Sequence, residues 1–149
     1  MKSLPEDAPN PLLKLDNQLC FSVYALSRLI TKSYQPLLES LGVTYPQYLV
    51  LLTLWENEEL TVKQLGELLH LDSGTLTPLL KRMEQHGWLS RRRAAHDERS
   101  VVVALAPAGR TLRAQAQEIP LRVGEFLHMT LPEIDALRVQ LRQLIAVLA

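Results

Sequence analysis

Apolar residues recur at helical spacing along most of the chain, and the first such stripe lies near its N-terminus. It has five members: Leu19, Val23, Leu26, Leu29 and Ile30. This spacing predicts an amphipathic helix with Asp16 as its N-cap, although the helix could begin a few residues earlier. Pro36 is expected to kink or end that helix, and residues 37–41 could add a further turn before Gly42.

Three further helices are predicted to begin where a Thr is followed three residues later by Gln or Glu, the pattern of a capping box. The three boxes begin at Thr44, Thr61 and Thr130. The first two predict helices that run to about Glu56 and through Leu69. The third predicts a helix with an apolar stripe of five large residues: Ile134, Leu137, Leu141, Leu144 and Leu148.

The pattern changes from helices to a hairpin between residues 61 and 105. A helix capped by Asp72 or Ser73 and ending at Gly87 follows the short helix that Thr61 opens, which is the order of a helix-turn-helix. Residues 88–92 and 100–105 are predicted to form two strands, the second of them rich in valine. A long helix should follow, from just after Ala106 to about Met129. The buried stripe expected on the second helix of the helix-turn-helix is Leu76, Leu79, Leu80 and Met83.

The chain has no net charge, but its charges are unevenly distributed. Residues 61–110 hold eight Lys/Arg and five Asp/Glu, a net charge of +3, which leaves −3 for the remainder. A local basic face of this kind can bind phosphates even on a neutral protein. The candidate DNA contacts on the second helix are exposed, small or basic residues: Ser73, Thr75, Thr77, Lys81 and Arg82.

The hairpin supplies further basic groups around its loop: Arg91, Arg92, Arg93 and Arg99. An arginine on a thin ribbon suits the narrow minor groove of DNA. Asp97 carries the wrong charge for a phosphate contact, so we expect it to orient a neighbouring arginine by a charged hydrogen bond. A helix-turn-helix followed at once by an arginine-rich hairpin predicts double-stranded DNA as a partner. The plain alternative is a solvated basic face on a helical protein.

The chain has one cysteine, Cys20, which is expected about one turn past the start of the first helix. A lone cysteine is usually a small core hydrophobe. Here, however, the helix dipole favours a thiolate, and Tyr24, four residues later, can stand beside the sulfur on the same face. A phenol hydroxyl that donates a hydrogen bond to the sulfur stabilises its charged form.

Tyr34 and Tyr45 are the other two tyrosines considered as partners of Cys20. Fourteen residues of continuous helix span about 21 Å, so Tyr34 cannot reach the sulfur of its own chain. Both could reach a sulfur across a dimer whose first helices are antiparallel. If Tyr34 and Tyr45 serve this thiol, as Tyr24 could, they must come from a partner subunit. We expect Cys20 to be a sensor thiol attached to a DNA-binding module.

One stretch of the chain carries a resemblance to a known family: LDSGTLTPLLKRMEQHGWLSRRR, followed by the hairpin sequence DERS. From about residue 13 to residue 149, the chain resembles the winged-helix regulators of the MarR (multiple antibiotic resistance) family. The resemblance implies a mainly α-helical protomer with a small β-hairpin wing. It also implies an obligate homodimer whose N- and C-terminal helices interlock and whose wings each grip a half-site of a pseudo-palindromic operator.

This resemblance suggests how the chain is organised. Residues 1–11 contain three prolines and are expected to be a flexible arm. Residues 12–149 form a single protomer, with a DNA-binding lobe at residues 44–106. Residues 12–43 together with residues 107–149 form the dimerisation region. The apolar stripe of the last helix is consistent with this, since one protomer has little left to cover it.

The spacing of Cys20, Tyr24, Tyr34 and Tyr45 is similar to that in the organic-hydroperoxide-resistance regulators, a branch of the same family. This resemblance implies that an organic hydroperoxide oxidises Cys20 to the sulfenic acid and that the dimer then releases DNA. Some members form an intersubunit disulfide with a second cysteine. This chain has no second cysteine, so it looks like the single-cysteine type, in which a small-molecule thiol caps the sulfenic acid.

Two other functions remain open from the sequence. A MarR-type repressor could bind an aromatic or phenolic effector reversibly, with the tyrosines lining a pocket and Cys20 incidental. A one-cysteine peroxidase would leave the basic wing unexplained, and the sequence lacks the strand–helix alternation we would expect of one. Because the four histidines show no metal-ligand spacing and no phosphate-binding loop occurs, we expect no metal, no other cofactor and no enzyme activity.

The sequence also bears on the compartment. A single cysteine favours a reducing compartment, and the N-terminal residues lack the apolar core of a signal peptide. Apolar runs fall short of the roughly 18 residues needed to span a membrane. We therefore expect a cytoplasmic protein with no membrane partner.

Overall fold

A computed structural model describes residues 10–149 as a mainly helical fold with one small antiparallel sheet. The predicted fold class, mainly α-helical with a small β-hairpin wing, is confirmed. The helices in chain order are α1 (Leu19–Glu39), α2 (Tyr45–Asn57), α3 (Val62–Leu69), α4 (Ser73–Gln85), α5 (Pro107–Ala116), α6 (Ile119–Leu127) and α7 (Leu131–Leu148). The strands are β1 (Glu59–Thr61), β2 (Leu89–Arg93) and β3 (Val101–Leu105). The expected arm, residues 1–11, lies largely outside the described residues.

Helix α1 begins three residues later than Asp16, which was expected to cap it. Two short 3-10 helices, Pro11–Leu13 and Leu15–Asn17, occupy the preceding residues, and Gln18 takes the N-cap position. The Gln18 side chain donates a hydrogen bond to the carbonyl oxygen of Lys14 at 3.1 Å, which stabilises this tight turn. Pro36 lies inside α1 rather than ending it, and the helix continues to Glu39.

All three predicted capping boxes are present. In each, the side chain of the Gln or Glu accepts a hydrogen bond from the backbone nitrogen of the Thr, at 2.9 Å for Thr44, 2.8 Å for Thr61 and 2.7 Å for Thr130. These reciprocal bonds satisfy backbone donors that a helix start would otherwise leave unpaired. They fix where α2, α3 and α7 begin.

The core lies beneath α4, whose predicted apolar stripe is fully confirmed: Leu76, Leu79, Leu80 and Met83 are all buried. These side chains belong to one buried cluster with Leu51 and Leu54 of α2, Leu65 of α3 and Val103 of β3. Gly87 ends the segment with φ +77°, the left-handed conformation predicted for it. The packing makes the helix-turn-helix and the hairpin a single unit.

The sheet has one strand more than was predicted. Strand β3 pairs with β2 in the expected hairpin, and it also pairs on its other edge with the three residues of β1. The capping box at Thr61 concealed this short strand, because the same threonine ends β1 and caps α3. Strand β1 therefore ties the helix-turn-helix to the base of the hairpin.

The prediction of one long helix between Ala106 and Met129 is wrong. The structure has two helices there, α5 and α6, separated by Gln117 and Glu118. Pro120 lies in the first turn of α6, where its missing N–H costs nothing. In an unbroken helix that ring would remove a hydrogen bond to the carbonyl of Ala116 and crowd it, so the helix restarts.

Helices α1 and α7 leave apolar surface exposed. No residue of α7 is buried, and the first half of α1 is likewise largely exposed. The exposed large apolar side chains of these two helices include Leu19, Val23, Leu26, Leu29, Leu137, Leu141, Leu144 and Ile145. Surface of this extent on two helices is typical of an interface. No helix within residues 10–149 combines the length and apolarity of a membrane span.

We predict that Gly109→Ala destabilises the fold by about 1–3 kcal/mol, the usual effect of overpacking. A Cβ at this position would overlap the carbonyl oxygen of Trp88 and approach Leu105 Cδ1 to 2.8 Å. The carbonyl oxygen of Gly109 accepts a buried hydrogen bond from Trp55 Nε1 at 2.9 Å, so the backbone of Gly109 cannot move away freely. Urea unfolding measures the change. Ala114→Ser, at an exposed position of the same helix, serves as the control, and an equal loss in both variants would contradict the prediction.

Candidate functional site

The residues predicted to contact DNA on α4 all lie on its exposed face: Ser73, Thr75, Thr77, Lys81 and Arg82. Asp72 caps the helix, and its Oδ1 accepts a hydrogen bond from the backbone nitrogen of Thr75 at 2.7 Å. That hydrogen bond holds the pKa of the Asp72 carboxyl below its ordinary value. The hydroxyl of Thr77 donates to the carbonyl oxygen of Ser73 at 2.8 Å, which leaves its lone pairs facing outward as acceptors. The face is small, polar and basic, as a groove-binding helix requires.

Arg91 of the hairpin is bound to α4 rather than projecting freely. Its Nε and Nη2 donate to Glu84 Oε2 at 3.0 and 2.9 Å, and its backbone nitrogen donates to Glu84 Oε1 at 3.0 Å. The Arg91 hydrogen bonds hold the pKa of Glu84 below its ordinary value. The Glu84–Arg91 pair holds the hairpin at a fixed angle to α4. The sequence analysis expected Arg91 to contact DNA and did not predict this structural role.

The other hairpin arginines differ in how firmly they are held. Arg92 pairs with Glu59 of β1 at 2.9 Å, and Arg93 Nη1 donates to the carbonyl oxygen of Glu98 at 2.7 Å. Arg99 is exposed at the β3 end of the loop, and within residues 10–149 it forms no salt bridge. It is therefore the hairpin arginine best placed to reach an external partner.

Asp97 orients Arg99, although not in the way that was expected. Its Oδ1 accepts a hydrogen bond from the backbone nitrogen of Arg99 at 3.0 Å, and not from a guanidinium. The carbonyl oxygen of Asp97 also accepts from the backbone nitrogen of Ser100 at 2.9 Å. These two bonds form a tight turn of the kind that Asp side chains favour. The aspartate thus shapes the loop and leaves the charge of Arg99 uncompensated.

A groove of about 750 Å³ lies between α3, α4 and the hairpin. Its polar lining includes Lys63, Ser73, Thr77, Arg91, Asp97 and Arg99. Two elements that the sequence assigned to DNA binding therefore face one another across a continuous concave surface.

Cys20 is the second residue of α1, and its side chain is exposed in the protomer. Cys20 therefore lies nearer the start of the helix than the full turn that was predicted, because α1 begins at Leu19 and not after Asp16. Tyr24, expected beside the sulfur, is also exposed, and its hydroxyl accepts a hydrogen bond from Arg28 Nη1 at 2.9 Å. Arg28 lies on the side of Tyr24 away from Cys20, and within the described part of the protomer no hydrogen bond joins this phenol to the sulfur.

Tyr34 and Tyr45 are in direct contact at the other end of α1. Their ring centroids lie 4.8 Å apart, and Phe126 of α6 packs edge-on against Tyr34 at 5.6 Å. Tyr48, which the sequence left without a role, completes the cluster at 6.1 Å from Tyr34. Its position three residues after Tyr45, on the same helix face, was the available signal.

The phenols of this cluster resist ionisation. Burial, together with the nearby phenols of Tyr45 and Tyr48, raises the pKa of Tyr34 to about 12. Burial likewise raises the pKa of Tyr45 and of Tyr48, with Tyr45 adding to the effect on Tyr48. Each hydroxyl thus stays protonated at neutral pH and can donate a hydrogen bond to an anion.

The structure brings Tyr34 and Tyr45 together but leaves Cys20 far from both within one protomer. Helix α1 is continuous from Cys20 to Tyr34, and fourteen residues of helix correspond to about 21 Å. A site that contains the sulfur and these phenols therefore needs a second chain. Among the described residues no group of three His, Cys, Asp or Glu side chains could hold a metal ion.

A winged helix-turn-helix with a basic face, joined to a cysteine-bearing helix, is the architecture of a transcriptional regulator. The model of the family described as transcriptional regulator SarA/Rot matches residues 32–115, more than half of the chain. Crystalline AbfR of Staphylococcus epidermidis is 40% identical with a TM-score of 0.73, over 90% of this chain and 92% of that chain. AbfR has also been solved reduced and bound to DNA, overoxidized and bound to DNA, and in a disulfide form.

Two related proteins indicate the branch of the family to which the chain belongs. The organic hydroperoxide resistance transcriptional regulator of Bacillus subtilis is 60% identical over 108 residues, which are 72% of this chain and 74% of that protein. The regulator TtmR of Methylorubrum extorquens is 51% identical over 123 residues, which are 83% of this chain and 63% of that protein. The chain belongs to the MarR family of winged-helix regulators, in the organic hydroperoxide resistance branch, and it has a single cysteine. The resemblance predicted from the sequence is confirmed.

We predict that Glu84→Gln lowers the free energy of unfolding at pH 7 by about 1 kcal/mol or less, because the Glu84–Arg91 pair is partly exposed. The carboxylate contributes this stability above the ordinary glutamate pKa of 4.5 and loses it as the pH falls through its lowered folded-state pKa. The difference between wild type and variant should therefore shrink on acidification, as followed by urea unfolding from pH 7 to pH 3. Glu67→Gln, an exposed glutamate of α3, is the control. A difference that stays constant with pH would contradict the role of the charge.

Proposed function

We propose that this protein is a homodimeric transcriptional repressor that releases its operator when an organic hydroperoxide oxidises Cys20. The observation that carries the proposal is the pair of protonated, half-buried phenols, Tyr34 and Tyr45, which are in contact where Tyr34 lies about 21 Å along α1 from an exposed thiol. The 60% identical relative is named for organic hydroperoxide resistance, which supports this oxidant class. The protein acts in the cytoplasm, where its DNA is.

Dimerisation is supported by the apolar faces that α1 and α7 leave uncovered. In an antiparallel arrangement of two α1 helices, the Cys20 end of one protomer meets the Tyr34 end of the other. Burying these faces against a second copy removes the apolar area from water, which is the main driving force for obligate interfaces. The same contact would complete the thiol site with phenols from the partner subunit.

Operator binding is assigned to α4 and the hairpin. The α4 contacts are Ser73, Thr75, Thr77, Lys81 and Arg82, and the hairpin contacts are led by Arg99 with Arg92 and Arg93. Arg91 and Asp97 act as positioning residues in this assignment, because each is bonded within the protomer. A dimer presents two such faces, so the operator should have two half-sites related by pseudo-two-fold symmetry.

The oxidation step consumes one hydroperoxide for each thiolate. The Cys20 thiolate attacks the terminal oxygen of the hydroperoxide, the O–O bond breaks, and the alcohol leaves as an alkoxide that takes up a proton. The sulfur becomes a sulfenic acid. A thiolate from a small molecule then attacks the Cys20 sulfur, an S–S bond forms, and the S–OH bond breaks to release hydroxide. Because no reductant within the chain regenerates the thiol, the protein is a stoichiometric sensor and not a peroxidase.

Release of DNA is assigned to the thiol adduct more than to the added oxygen. AbfR has been solved on DNA in both the reduced and the overoxidized form, so overoxidation of that relative is compatible with a DNA complex. A mixed disulfide is bulkier, and it would sit inside a packed interface. Displacement of Tyr45, the first residue of α2, would then shift α2 and the helix-turn-helix packed on it.

We predict that Cys20→Ser binds the operator normally and does not release it on treatment with cumene hydroperoxide and a small thiol. Serine keeps the size of the side chain but lacks a nucleophilic sulfur. Fluorescence anisotropy with labelled operator measures release, and intact mass on the same samples reports the adduct. Wild type should consume one equivalent of hydroperoxide per Cys20. Release by the serine variant, or continuing peroxide consumption by wild type with excess thiol, would refute the sensor mechanism.

We predict that Arg99→Ala weakens operator binding at least tenfold at physiological salt and flattens its salt dependence. For each phosphate that the variant no longer neutralises, the slope of log K against log salt should fall by about 0.9. Anisotropy titrations at several salt concentrations provide the measurement. Arg113→Ala, an exposed arginine of α5 outside the proposed DNA-binding face, is the matched control. Equal affinity and equal slope for wild type and Arg99→Ala would remove the hairpin tip from the interface.

A further inference from the structure

A cleft of about 740 Å³ separates the middle of α1 from the start of α2. Its floor is apolar and includes Leu38 and Val43, and Tyr45 forms part of its wall. This volume is in the range of clefts that bind small molecules. The cleft has no role in the DNA binding or in the phenol–thiol contact proposed above.

The cleft carries two positive charges on one helix face. Arg28 and Lys32 are four residues apart on α1, so both stand along the same wall, with Thr31 between them. Arg28 holds the hydroxyl of Tyr24, and within residues 10–149 Lys32 forms no salt bridge. The one acidic lining residue, Glu39, lies a further two turns along α1, at the far end.

The proposed function places this cleft next to the reacting sulfur. Tyr45 is proposed to donate to the partner subunit's Cys20, and the same Tyr45 lines the cleft. A molecule held there would therefore have direct access to the sulfur once it is oxidised. The hydroperoxide reacts through an uncharged O–O bond, whereas the capping thiol must attack as a thiolate. A basic wall favours the second reactant.

We propose that this cleft binds the small thiol that caps the Cys20 sulfenic acid, and that Arg28 and Lys32 select thiols bearing a carboxylate. The inference rests on the proposed function. The carboxylate pairs with Lys32 and Arg28, the carbon chain lies over Leu38 and Val43, and the thiolate faces the oxidised sulfur. Its attack forms the S–S bond and expels hydroxide, which leaves as water after taking up a proton.

Three thiols of similar length and different charge provide the test: 3-mercaptopropionate, 2-mercaptoethanol and cysteamine. The full-length protein is oxidised with one equivalent of cumene hydroperoxide, and the rate of mixed-disulfide formation is followed by intact mass. Rates are referred to the sulfenic acid present in each sample. Comparing each variant with wild type for the same thiol cancels the intrinsic reactivity of that thiol.

Lys32→Gln should slow capping by 3-mercaptopropionate about threefold to tenfold, the effect of one surface charge at short range. For this variant, capping by 2-mercaptoethanol should change less than twofold, and capping by cysteamine should become faster. Arg28→Gln should slow the anionic thiol at least as much, and because it also releases the hydroxyl of Tyr24, its effect is expressed relative to its own rate with 2-mercaptoethanol. Arg113→Gln removes an equal charge elsewhere and should alter none of the three. For wild type alone, added salt should slow the anionic thiol selectively.

The outcomes separate the two proposals. If Cys20 is oxidised normally but the capping rate is the same in wild type and variants for all three thiols, this inference is wrong and Cys20 remains the sensor. Failure of Cys20 to oxidise at all would overturn the sensor function and this inference with it. If a variant is unstable, the salt dependence in wild type decides by itself, because equal salt effects on charged and neutral thiols would contradict a basic cleft.

Discussion

The length of one unbroken helix constrains everything proposed for this protein. Cys20 and Tyr34 are both on α1, and the helix that joins them is stiff, so the sulfur and the phenol stay about 21 Å apart in one protomer. Proteins usually assemble a reactive site from elements that fold together. Here the fold itself keeps the thiol and the half-buried phenols apart, and only association can join them. In the proposed dimer, the thiol site is therefore complete only when two copies associate through the apolar faces that flank it.

Rigid packing then connects the thiol site to the DNA-binding face. Tyr45 is the first residue of α2, and Leu51 and Leu54 of the same helix share the core with Leu76 and Leu80 of α4. A close-packed core moves in discrete rearrangements and does not deform smoothly. At the far side, Trp55 bonds to Gly109 and the Glu84–Arg91 pair fixes the hairpin on α4. A displacement of Tyr45 would therefore move the helix-turn-helix and the hairpin together as one rigid unit.

Local chemistry made much of this fold predictable. The capping boxes, the leucine stripe of α4 and the left-handed Gly87 were predicted because each depends on residues within one or two turns of one another. The failures have the opposite character. Strand β1 depends on its pairing with the distant β3, and the Glu84–Arg91 pair joins a helix to a strand across the turn at Gly87. The break before α6 depends on Pro120, whose effect the helical periodicity hid. The contact of Tyr34 with Tyr45 was not predicted, although both were considered as partners of one thiol, and Tyr48 and Phe126 were given no role from the sequence.

The size of the switch can be argued from the bonds that the proposal removes. A hydrogen bond to a charged group contributes about 1.5–3 kcal/mol, against about 1 kcal/mol for a neutral one. Converting a thiolate to a neutral disulfide therefore forfeits on the order of 1–2 kcal/mol for each phenol, before any steric cost of the adduct. Two phenols at each of two sites bring the total to several kcal/mol, and each 1.4 kcal/mol is a tenfold change in an equilibrium. That suffices to reverse the balance between two packings of a dimer, provided the operator binds only one of them. In the proposed mechanism, the loss of the sulfur's charge weakens the phenol hydrogen bonds, and the volume of the thiol adduct supplies the displacement that releases DNA.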